Sequence, residues 1–181
     1  MGQLIVSTHV TLDGVIGPAP HEWARLDGEH ERHSFDQVRA ADAFVLGRKT
    51  FEGLAGVWPG ITDDSGFAER VNALPKHVAS RTRSGPLDWN GTLIEGDLGP
   101  AVTRLKETHR GNLLSYGCGE LAHALVTAGV VDAVHLWVQP VVWGEGERLF
   151  GGRRVDLDLV ASTTFSSGVV LLAHRPTGRS G

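Results

Sequence analysis

The sequence predicts an α/β fold with a mixed, mostly parallel sheet, helices on both faces and an antiparallel hairpin at its C-terminal edge. Three observations carry this. Short apolar runs rich in β-branched residues alternate with stretches of helical period. Glycine or proline punctuates most of the junctions. The last two strand-like runs, 155–164 and 167–174, have no helix between them.

Residues 3–11 read as a strand, and 12–28, with its Gly, Pro and acids, as a long loop of the kind that forms lids or binding loops. A helix is expected over 29–41, with Phe35, Val38 and Ala41 on one face. The apolar run from Ala43 to Gly47 is a buried strand that empties into a helix over 48–54. Loop 58–64 precedes a short helix, 66–74, stopped by Pro75. Strands follow at 76–80 and 92–95. Pro100 is placed as the first residue of a helix that Gly111 caps. A strand at 112–116, a helix at 120–128 closed by Gly129, and a long strand at 133–142 lead into the closing hairpin.

With 181 residues there is room for one domain, assigned to 1–174, ahead of a polar tail, 175–181, expected to be flexible. The net charge of −4 and the lack of a basic block argue against nucleic acid and anionic membrane as partners. Nothing approaches the roughly 18 apolar residues of a membrane span. The lone Cys118 rules out an intrachain disulfide, and no secretory signal pattern opens the chain. A cytoplasmic location is expected.

Three strand-to-loop corners carry candidate chemistry. In Gly47-Arg48-Lys49-Thr50, two cations and a hydroxyl sit at a helix start, where the local dipole already favours anions. Their charge there needs something negative to offset it, and a phosphate would serve. A solvated basic turn is the alternative. Tyr116-Gly117-Cys118-Gly119-Glu120-Leu121-Ala122 satisfies G-x-G-x-x-A, in which glycines let a pyrophosphate approach the backbone. A tight turn without ligand fits equally well. No acid follows about 20 residues on, which disfavours a standard Rossmann domain. Ser80-Arg81, at the end of a strand, pairs a hydroxyl with a guanidinium, a combination suited to a phosphate monoester such as the 2′-phosphate of NADP.

In order and spacing these motifs resemble the dihydrofolate reductase superfamily. They resemble more closely the stand-alone relatives of the reductase domain in riboflavin-biosynthesis deaminase–reductases. The likeness rests on Leu12-Asp13-Gly14-Val15-Ile16-Gly17, on Gly47 to Glu52, on Ala79-Ser80-Arg81, on Gly117 to Leu121, on Gly129 to Asp132, and on Pro140 to Gly152. It implies a three-layer α/β/α dihydrofolate reductase-like fold, NADPH as cofactor, hydride transfer to a small nitrogen heterocycle or ribosylamino-pyrimidine, and a homodimer. By the same resemblance Arg48, Lys49 and Thr50 hold pyrophosphate and ribose phosphate. Ser80 and Arg81 lie at the adenosine end, and Tyr116, Gly117, Cys118, Gly119, Glu120 and Leu121 on the pyrophosphate and nicotinamide side. Val15 and Ile16 border the nicotinamide, and Trp23, Phe35 and Phe51 face the substrate.

Counting back from Gly47 places the family's proton-handling carboxylate on Glu31, with Asp13 as the rival acid. Glu22-Trp23 stands where true folate reductases carry Pro-Trp, which weighs against folate. A dihydrofolate or pteridine reductase and a non-catalytic NADPH-binding module remain the alternatives. His30 and His33 could share a helical face, but no third ligand is apparent and no metal is expected.

Overall fold

The computed structural model describes residues 1–17 and 20–177. In chain order the strands are β1 (Leu4–Thr11), β2 (Val15–Gly17), β3 (Ala41–Gly47), β4 (Lys76–Ala79), β5 (Gly91–Leu93), β6 (Asn112–Tyr116), β7 (Ala133–Gln139), β8 (Glu147–Arg148), β9 (Leu157–Thr164) and β10 (Val170–Pro176). The helices are α1 (Gly28–Arg39), α2 (Arg48–Ala55), α3 (Phe67–Ala73), α4 (Leu98–Thr108) and α5 (Glu120–Thr127). Eight strands form one sheet in the order β5-β4-β3-β6-β1-β7-β10-β9. β1 pairs parallel with both β6 and β7, while β10 runs antiparallel to β7 and β9, which gives the expected mixed sheet with its edge hairpin.

Strand alternation builds the three layers. Within β3, Ala43 and Val45 join a core with Val102 of α4 and Ala122 and Leu125 of α5. Phe44 and Leu46 face the other way, into a core with Val38 of α1, Phe51 of α2 and Val71 of α3. Leu113 and Leu114 of β6 divide between the two cores in the same manner. All six of these sheet residues are almost completely buried.

Several boundaries differ from expectation. The long loop contains β2, which pairs with β8 in a two-stranded ribbon too short to signal itself in sequence. α1 begins at Gly28 because the Asp27 side chain caps it, accepting the His30 N–H at 2.8 Å. α4 begins two residues before Pro100 and ends at Thr108. Gly111 is therefore not its cap; its N–H donates to Asp42 Oδ2 at 2.6 Å, and a Cβ there would collide with that carboxylate. β7 stops at Gln139 instead of running to Val142. Arg175 and Pro176, assigned to the tail, belong to β10, Thr177 donates its N–H to Asp156 O, and residues 178–181 lie outside the described residues. Among the described residues, no helix is long and apolar enough to cross a membrane.

Candidate functional site

One groove of about 2000 Å³ runs along the carboxyl edge of the sheet, from the end of β4 past β3 and β6 to β1 and β7. At one end the three predicted corners meet. A Cβ on Gly47 would touch Leu121, and one on Gly117 would lie 3.5 Å from Thr50 Oγ1, so the β3–α2 and β6–α5 turns are in van der Waals reach. The third corner joins through Arg81, whose Nη2 lies 3.8 Å from Glu120 Oε2. Gly117 has φ +84°, a conformation that favours glycine, and its N–H donates to Ser7 O at 3.2 Å. Ile16 and Glu147, from the β2–β8 ribbon, close over Gly119.

Most of the predicted residues line this groove. Ile16, Glu31, Phe35, Gly47, Arg48, Lys49, Thr50, Ser80, Arg81, Tyr116, Gly117, Cys118, Gly119, Glu120 and Leu121 all do. The charge argument for the first corner is only partly upheld. Glu52, one turn along α2, takes the Arg48 guanidinium at 2.8 Å and Arg83 at 3.3 Å, so the protein offsets some of that charge itself. Ser80 Oγ accepts the backbone N–H of Arg83 at 2.9 Å and so shapes the turn that presents Arg81. Cys118 contributes backbone alone, because its side chain is fully buried and burial pushes the thiol up to about 12.

Four predicted residues are placed elsewhere. Asp13 accepts from Thr11 Oγ1 at 2.7 Å, from the N–H groups of Trp143 and Gly144, and faces Arg148. The Thr11 hydroxyl, followed by these backbone donors, holds its carboxyl well below the usual range. It is an acceptor that ties the β1–β2 loop to the β7–β8 loop, and it does not line the groove. Val15 is fully buried behind Ile16, as alternation in β2 requires. Phe51 turns into the core of the α1–α3 layer, with its ring 5.9 Å from Trp89. Trp23 is buried and does not line the groove. Glu31 does line it, but sits exposed at the rim instead of buried beside an apolar ring.

Sequence reasoning missed the other end of the groove, where His9, His30, Ser34, Gln37 and Trp137 form the floor. The His9 and His30 rings are 4.9 Å apart, and His30 meets the edge of Trp137 at 4.6 Å. Burial, and then His30, pushes His9 down to about 3, while burial lowers His30 and His135 as well. This end therefore presents neutral imidazoles. Arg153, from the segment after β8, is a further groove cation that no motif flagged. Among the described residues no three His, Cys, Asp or Glu are grouped to hold a metal ion.

Comparison with known proteins agrees with this fold. The family model described as the RibD C-terminal domain matches residues 3–171. An uncharacterized Bacillus subtilis protein, YyaP, is 31% identical over 97% of this chain and 96% of its own. A putative riboflavin biosynthesis protein from Shewanella sp. PV-4 superposes with a TM-score of 0.72 at 17% identity, covering 97% of this chain and 99% of that one. A dihydrofolate reductase from Enterococcus faecalis, solved with NADP(H), gives 0.64 at 15% identity, with 97% of each chain covered.

Proposed function

The chain belongs to the RibD C-terminal domain family, and on that membership together with the groove we propose that it is an NADPH-dependent reductase. Its substrate would be a small nitrogen heterocycle or ribosylamino-pyrimidine of the 5-amino-6-(5-phosphoribosylamino)uracil type. One observation carries the reading: the Gly47–Thr50, Ser80–Arg81 and Gly117–Leu121 corners converge on one groove.

The donor set fits a phosphorylated dinucleotide. Arg48, Lys49, Arg81 and Arg153 line the groove near the corners, and the start of α5 has no side-chain cap, so its first backbone N–H groups are the ones that would meet a pyrophosphate. Thr50 and the Gly117 turn would orient it, Ser80 and Arg81 would take a 2′-phosphate, and Ile16 would border the nicotinamide. When bound, that ring supplies the hydride. The protein aligns the reactants and walls them from water with Ile16, Phe35 and Trp137. Glu31, at the rim, is the acid we assign to proton handling, through water. The exposed Leu159 and Val160 on edge strand β9 would be covered in a homodimer, which light scattering would detect.

Titrating NADPH against tryptophan fluorescence, with NADH as control, tests the assignment, because Trp58 and Trp137 line the groove. Preference for NADPH is expected. Equal affinity would remove Ser80 and Arg81 from the site, and absence of binding would overturn the reductase reading. Unchanged turnover in Glu31→Gln would remove Glu31 from the chemistry.

A further inference from the structure

We propose that His9, held by Gln139 with its ring proton on Nε2, is the hydrogen-bond donor that recognises an acceptor atom of the substrate ring. The inference rests on the reductase reading of the groove and goes on to name what its inner end selects.

The tautomer follows from a chain of partners. Gln139 is completely buried, and its Oε1 accepts the backbone N–H of Arg25 at 2.7 Å. Its amide nitrogen must then face the other way, toward His9 Nδ1 at 3.1 Å, and a carboxamide nitrogen only donates. Nδ1 is therefore the acceptor, and the proton of the neutral ring sits on Nε2. Among the described residues Nε2 has no partner, and His9 lines the groove.

Most of the neighbouring polar atoms are already engaged. Trp137 Nε1–H donates to Ser7 Oγ at 3.1 Å, and the Ser7 hydroxyl to Gln37 Oε1 at 3.3 Å. The Gln37 amide then donates to His135 Nδ1 at 2.7 Å. His30 is nine-tenths buried, shares Nε2 with Ser34 Oγ at 3.1 Å, and has no partner for Nδ1. A buried polar atom left without a partner is costly, which makes this spot one that a ligand or water completes.

The ligand chemistry follows. An N–H donor fixed in a floor of neutral imidazoles and Trp137 suits an uncharged planar ring offering a carbonyl oxygen or an unprotonated ring nitrogen. A cationic diaminopyrimidine would aim its own N–H groups at that donor, and it is selected against.

Two probes and an NMR readout test this. Long-range proton–nitrogen spectra of the full chain should show His9 at neutral pH with a proton on Nε2 and none on Nδ1. The opposite tautomer, or a charged ring, overturns the proposal without any ligand. On protein saturated with NADP⁺, the uncharged dione lumazine should bind more tightly than the diaminopyrimidine trimethoprim. His9→Phe should weaken lumazine roughly threefold to tenfold, the worth of one hydrogen bond, and His9→Asn should restore part of that. NADP⁺ affinity should stay unchanged in both. Gln139→Glu, which accepts where the amide donated, should move the proton to Nδ1 and weaken lumazine with His9 intact. If NADP⁺ binds but trimethoprim outcompetes lumazine, or lumazine fails to bind, the His9 assignment falls and the reductase reading stands. If NADP⁺ does not bind, the reductase reading falls, and the tautomer still decides the fate of His9.

Discussion

Arg153 places its Nη2 3.0 Å from Oε1 of Glu120, the first residue of α5. The second oxygen of that carboxylate faces Arg81, so Glu120 spans two groove cations from different parts of the chain. All three side chains are well exposed, and such pairs add little to stability. Their consequence lies in where they hold the guanidinium groups.

Arg81→Ala should erase the preference for NADPH over NADH, because only NADPH carries the extra phosphate that Arg81 would meet. Arg153→Ala should weaken both cofactors alike, by about 1 kcal/mol or roughly fivefold, since the pyrophosphate is common to them. Parallel fluorescence titrations decide this, and a selective loss of NADPH in the Arg153 variant would reverse the two assignments.

Lys106 and Asp132 lie 2.5 Å apart, with the lysine almost fully buried. Lys106 also donates to Val130 O, while the carboxylate accepts the Leu4 N–H at 2.7 Å. The pair thus fastens α4 to the starts of β1 and β7. Asp132→Asn should cost about 1–3 kcal/mol, moderated by the partial exposure of the carboxylate. Urea unfolding would show a lower midpoint with an unchanged slope.

Lys76 is buried under Trp89, with its ammonium 4.0 Å from the ring centroid and donating to Val71 O and Asn72 O. Burial pulls it from 10.5 down to about 8. Between those two values the unfolded chain binds more protons than the folded one, so this group makes stability rise with pH there. Below about pH 8 it is charged in both states and contributes no slope. Lys76→Met should abolish the rise. Denaturation below, within and above the window measures it, and a wild-type stability difference that falls through the window would contradict the sign.

Cys118 should resist iodoacetamide in the folded protein at neutral pH and react once urea exposes it, because its thiol is buried and pushed up to about 12. Fast labelling without denaturant would mean that the glycine turn opens readily.

The sheet and most of the groove were legible because period-two strands and glycine corners are local signals. What escaped depends on residues far apart in sequence. Gln139 sets the tautomer of His9 from β7, and Gln37 reaches His135 from α1. No spacing rule announces either pair, although a histidine midway along the first strand was a partial hint. Phe51 and Asp13 were misplaced for a different reason. A motif fixes where a residue falls in the chain, but Phe51 is turned to the core by its face of α2, and Asp13 is claimed by donors from a loop beyond β7. Glu52 stood in the quoted motif, yet its capture of Arg48 and Arg83 needed the fold to be seen.

The central position of β1 bears on how the molecule assembles. Its sheet neighbours are β6 and β7, which begin at Asn112 and Ala133, more than 100 residues further along the chain. During synthesis Leu4–Thr11 must stay unpaired until β6 and β7 have been made. Closure of the sheet is therefore a late, long-range event, the slow kind of step during which an apolar strand is open to wrong partners.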